Sequence, residues 1–109
     1  MVRRHIVMRV IGIEKLSIFY GKYPSCRKWS ECWLADMHGT VAPFFLQVQQ
    51  RYPLMTHEGR NSLIFKFQID GVQYLMRVQV AEGAGVLALK WVGPAVEYSS
   101  YMEEVNHGN

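Results

Sequence analysis

Lys66, Arg77 and Lys90 are the residues of this sequence best spaced to do chemistry together. Each sits inside a mainly apolar segment: LIFKFQI (63–69), VQYLMRVQV (72–80) and VLALKWV (86–92). In an extended strand, successive side chains point to opposite faces. Leu63, Phe65, Phe67 and Ile69 then share one face of the first segment, and Ile64, Lys66 and Gln68 the other. In the second, Val72, Tyr74, Met76, Val78 and Val80 oppose Gln73, Leu75, Arg77 and Gln79. In the third, Leu87, Leu89 and Trp91 oppose Val86, Ala88, Lys90 and Val92. With the apolar sides packed inward, the cations and Gln68, Gln73 and Gln79 meet on the outer face, and no carboxylate interleaves with them inside the strands. Such a face suits a phosphate backbone. The same pattern more commonly marks a solvated outer face, kept soluble by its lysines and arginines.

The elements that position this face follow from periodicity and breakers. Residues 6–13 (IVMRVIGI) predict a mostly buried strand. Ile13, Leu16 and Tyr20 fall at helical spacing, and Pro24 stops that helix near Tyr23. Ser25 is placed to cap a second helix, with Cys26, Trp29, Trp33 and Met37 as its stripe, Arg27 and Glu31 as an exposed pair, and Gly39 as its end. Thr40 and Pro43 open a third helix, in which Phe44, Phe45, Val48 and Tyr52 face the core and Pro53 closes the run. Trp29, Trp33, Phe44 and Phe45 read as core, although a helical surface this apolar could also meet a partner. Residues 54–62 (LMTHEGRNS), which include His57 and Arg60, read as a polar loop. Asp70-Gly71 is a tight-turn signal, AEGAG (81–85) a second turn, and Gly93-Pro94 a break. A short helix over 97–104 and a loose tail over 105–109 complete the chain.

This order predicts one α+β domain over 1–109: an antiparallel twisted sheet, made of the N-terminal strand and a C-terminal three-strand meander, with about three helices on one face. Twelve Lys+Arg against nine Asp+Glu give a net charge of +3, which permits an anionic partner without demanding one. Cys26 and Cys32 lack the spacing of a metal pair, and His5, His38, His57 and His107 are scattered, so neither a metal nor a cofactor is expected. No apolar run approaches the ~20 residues of a membrane helix. Without a signal peptide in the basic start, a cytoplasmic location is expected.

The order MRVI, KL, YP, a Trp-bearing helix, RYP, F-x-I-D-G-x-x-Y, a long hairpin, and KWVG followed by EY resembles the HigB-type toxins of the RelE/ParE superfamily, over residues 8–104. The family usually starts near Met8, so residues 1–7 read either as an extension or as the product of an upstream start codon. The resemblance implies a compact sheet with helices on one face, a helix-turn-helix antitoxin as partner, and ribosome-dependent cleavage of messenger RNA as an endoribonuclease that inhibits translation. In that chemistry the 2′-hydroxyl attacks the adjacent phosphate. Many relatives carry Arg where this chain has Leu75, Arg where it has Lys90, and His where it has Ala95. The catalytic candidates are therefore Lys66, Arg77, Lys90 and Tyr98, and the RNA contacts Lys66, Gln68, Gln73, Arg77, Gln79, Lys90, His57 and Arg60. The departures also leave room for a non-catalytic relative, either a ParE-like gyrase inhibitor or a decayed toxin that only binds its antitoxin.

Overall fold

The computed structural model describes residues 7–40 and 44–107. Its order is β1 (Arg9–Ile11), α1 (Ile13–Lys22), a 3₁₀ turn (Pro24–Cys26), α2 (Arg27–Met37), α3 (Phe44–Arg51), β2 (Thr56–Glu58), β3 (Ser62–Ile69), β4 (Val72–Ala81), β5 (Val86–Pro94) and α4 (Tyr98–His107). The fold is α+β, with a five-stranded sheet ordered β1-β5-β4-β3-β2. The sheet is mixed, because β1 runs parallel to β5 while the other pairs are antiparallel. That corrects the all-antiparallel expectation. The chain leaves β1 into two helices, so no tight turn forces the first strand to pair in the opposite direction.

Several boundaries also differ from expectation. β1 ends at Ile11 because Gly12 adopts a left-handed conformation (φ 82°) and turns the chain into α1. A side chain there would place its Cβ 2.7 Å from the Leu89 carbonyl oxygen, so the turn needs glycine twice over. Ser25 lies within the 3₁₀ turn and does not cap α2. Thr40 donates its hydroxyl to the Asp36 carbonyl at the end of α2. Pro43 lies outside the described residues. β5 runs through Gly93 to Pro94, and α4 continues to His107 in place of a tail from residue 105. The Asp70-Gly71 turn forms as expected, with positive φ at both residues (51° and 79°).

The core lies between α1–α3 and one sheet face. Leu16, Phe19, Trp33, Met37, Phe44 and Val48 pack there on Leu63, Phe65, Met76, Val78, Leu87 and Leu89. Trp33 meets Phe65 edge-on, and Trp29 stacks on Phe67 at 3.6 Å. Trp33 and Phe44 are fully buried, and Trp29 and Phe45 are half-buried against the same cluster, so all four serve the core. α4 is the exception to the one-sided arrangement. Its Tyr98 and Tyr101 rings lie 5.4 and 5.5 Å from Trp91, which stands opposite Arg77 on the other sheet face.

Asp36 ties α2 to α3, accepting from Arg51 at 2.7 Å and from the Tyr52 hydroxyl at 2.6 Å. Burial and then the Asp36 carboxylate push the Tyr52 pKa well above the ordinary phenol value. The folded state therefore keeps Tyr52 protonated at a pH where the unfolded chain has begun to ionise it. The associated stability is complete below pH ~10 and is lost as pH rises through the folded value. Chemical denaturation as a function of pH should show stability falling above pH ~10, and Tyr52→Phe should flatten that fall.

Candidate active site

In an antiparallel ladder, residues directly opposite one another share a face. Glu58 stands opposite Ser62, Ser62 opposite Gln79, Ile64 opposite Arg77, Lys66 opposite Leu75, and Gln68 opposite Gln73. All therefore lie on the face away from α1–α3. On β5 the register slips: Val78 pairs with Leu89 but Arg77 pairs with Trp91, so Lys90 is the extra residue of a β-bulge. Alternation from the buried Leu87 and Leu89 puts Lys90 outward, and the slip then turns Trp91 outward as well. Plain alternation places Trp91 with Leu87 and Leu89, and the bulge overturns that. Lys66, Arg77 and Lys90 do share the outer face.

They do not share an environment. Lys66 and Lys90 are exposed, whereas the Arg77 side chain is only 20% exposed and lies beneath α4. Its Nη1 donates to Glu58 Oε1 at 2.5 Å, to the Tyr98 hydroxyl at 3.0 Å and to Met102 Sδ at 3.4 Å. Its Nη2 donates to Ser62 Oγ at 3.3 Å. Tyr98 in turn donates its hydroxyl proton to Glu58 Oε2 at 3.0 Å. A carboxylate, a guanidinium and a phenol thus form a closed triangle. Burial works against the Arg77 charge, but the bonds to Tyr98 and Glu58 outweigh it and raise its pKa. Burial also raises the Tyr98 pKa; Arg77 opposes that and Glu58 reinforces it, leaving the phenol above its ordinary value.

Glu58 is the residue that sequence reasoning missed. It lies in a segment read as a polar loop, where Thr56–Glu58 instead forms a short edge strand on β3. The one available signal was the segment THE itself, too short for a period-2 pattern. Tyr98 was expected in the site and is there. His57 is not: it stands opposite Leu63 on the core-side face, its ring 5.2 Å from that of Phe45. Arg60 is exposed on the β2–β3 turn, and with Gln79 it borders an open depression at one end of the sheet. Gln68 and Gln73 lie at the other end, beside a hollow of about 270 Å³ that also touches Leu75 and Ala95. Leu75 and Ala95, where the resemblance leads one to expect Arg and His, are thus neighbours here.

The arrangement can move protons next to a fixed positive charge. Glu58, with its side chain 39% exposed, can accept a proton; Tyr98 carries one, and Arg77 can stabilise charge developing on an oxygen. No family model matches the chain, and no curated protein does.

Glu58→Gln and Tyr98→Phe should each lower unfolding free energy by about 1 kcal/mol, a modest figure because Glu58 is solvent-screened. Because both partners bond the same guanidinium, the double variant should depart from additivity by at least ~0.5 kcal/mol in urea denaturation.

Proposed function

We propose that this chain is a RelE/ParE-type toxin of a two-gene toxin–antitoxin module, and that its Glu58–Arg77–Tyr98 cluster cleaves messenger RNA in the ribosomal A site. One observation carries the reading: the three side chains lie within 3.0 Å of one another on an outer sheet face flanked by the exposed Lys66 and Lys90. The order of elements supports it too, with a strand, helices, a hairpin meander and a terminal helix.

The chemistry balances within the cluster. Glu58 takes the proton of the 2′-hydroxyl, and the freed oxygen attacks the adjacent phosphorus. A bond forms from O2′ to phosphorus and the bond from phosphorus to O5′ breaks. Arg77 stabilises the charge gathered on the phosphoryl oxygens, and Tyr98 protonates the departing O5′. The products are a 2′,3′-cyclic phosphate and a 5′-hydroxyl. The Glu58–Tyr98 hydrogen bond lets the proton return directly to the phenol. Lys66 and Lys90 hold the flanking phosphates. In this scheme Tyr98 takes the role that histidine fills in many relatives, consistent with Ala95 at the histidine position.

A second reading has its own support. Arg77 is already neutralised by Glu58, and Leu75 and Ala95 are inert, which suits a scaffold that binds its target without cutting. Induction in cells with mapping of messenger RNA 5′ ends separates the two. The nuclease predicts new ends inside coding regions, reduced ~100-fold or more by Glu58→Gln. Arrested growth with intact transcripts overturns it, and inhibited DNA supercoiling would then favour the gyrase-directed alternative.

A further inference from the structure

The hollow between the hairpin end and Ala95 has a structural origin. β2 stops where Thr56 pairs with Ile64, so the β3 edge beyond Lys66 extends past its neighbour. On the other side β5 ends with Pro94 opposite Tyr74, and the chain turns away at Ala95. The tip of the β3–β4 hairpin therefore projects beyond both flanking strands. Ala95 contributes only a methyl group beside Leu75, and a space of about 270 Å³ opens there.

The lining is specific in its chemistry. Leu75, Ala95 and Leu54 give apolar surface, joined at the hairpin by Phe67 and Tyr74, with Leu75 buried in the sheet. Gln68 and Gln73, directly opposite each other, bring two primary amides, each with a donor and an acceptor. Lys66 stands at the side. Leu75 is two residues from Arg77 on the same face, roughly 7 Å along the strand. A phosphate group would lose hydration against the apolar floor without full compensation. A flat, apolar-faced group with hydrogen-bonding edges fits better, particularly one tethered to an anion near Lys66 and Arg77.

We infer that this hollow binds the base of a nucleotide flanking the cleaved bond. The inference rests on the RNA-directed reading above and gives its site a means of choosing sequence. The base lies on Leu75 and Ala95, its edge is read by the Gln68 and Gln73 amides, and its phosphate points toward Lys66 and Arg77. Single-stranded RNA is read through such splayed bases. Leu75 and Ala95, inert for proton transfer, thereby become the floor of a recognition pocket.

The test is an NMR titration of the full chain with adenosine 3′-monophosphate, with inorganic phosphate as comparison. The nucleotide should shift the Leu75 and Ala95 methyl signals and the Gln68 and Gln73 side-chain amides, and phosphate alone should not. Leu75→Trp, which fills the hollow, should weaken the nucleotide at least ~10-fold. Gln73→Ala, at an exposed position that does not threaten folding, should weaken it ~3-fold or more. Glu58→Gln should keep the same pocket shifts, because it removes the proposed base and leaves the hollow intact. Equal shifts with phosphate, shifts confined to other regions, or unchanged binding by both pocket variants would overturn the inference. The titration needs no cleavage, so a failed nuclease reading and a failed base pocket give different results.

Discussion

A guanidinium held beneath a helix requires a counter-charge within bonding reach, and much of the outer sheet face is arranged around that need. Arg77 keeps little contact with solvent, and Glu58 is the carboxylate that pairs with it. Glu58 meets the need only because Thr56–Glu58 pairs with β3, opposite Ser62–Ile64. Tyr98 joins from the first turn of α4, whose Tyr101 stacks on Trp91. The short edge strand and the terminal helix are therefore bound to a single side chain in the middle of β4.

The two sheet faces divide the work. One carries the apolar side chains of β3, β4 and β5 into α1–α3 and supplies most of the core. The other carries the ionic triangle, the exposed lysines and the glutamine pair. The bulge at Lys90 adjusts this division. Without it, Trp91 would point toward α1–α3 and α4 would lose its main aromatic contact. An extra residue in one strand is a common way for a sheet to re-aim its side chains. Here it sets Lys90 and Trp91 on the same side as Arg77.

Alternation and turn chemistry were legible in the sequence. Asp70-Gly71, the split of Leu63/Phe65/Phe67 from Lys66/Gln68, and the helix stop before Pro24 all follow from local rules and appear in the fold. Glu58 was not legible, because a three-residue strand has no period and earns its hydrogen bonds only from a neighbour distant in sequence. Trp91 was misplaced because a bulge inverts parity, and nothing in VLALKWV marks where the extra residue falls. The parallel pairing of β1 was hidden for a related reason: direction is set by how two helices return the chain, beyond the reach of any local window. Arg77 is legible as an outer-face cation, but its pairing is not, because Glu58 lies in a segment of loop-like composition.

Under the proposed function, the Glu58–Arg77–Tyr98 triangle promotes attack by a 2′-hydroxyl. The most direct measurement uses ribosomes programmed with a messenger RNA bearing a single 2′-deoxynucleotide at the position otherwise cut, incubated with the purified chain. Cleavage should disappear at that position alone, and the all-ribose message should yield 5′-hydroxyl ends. Continued cutting at the deoxy position, or 5′-phosphate ends, would contradict it.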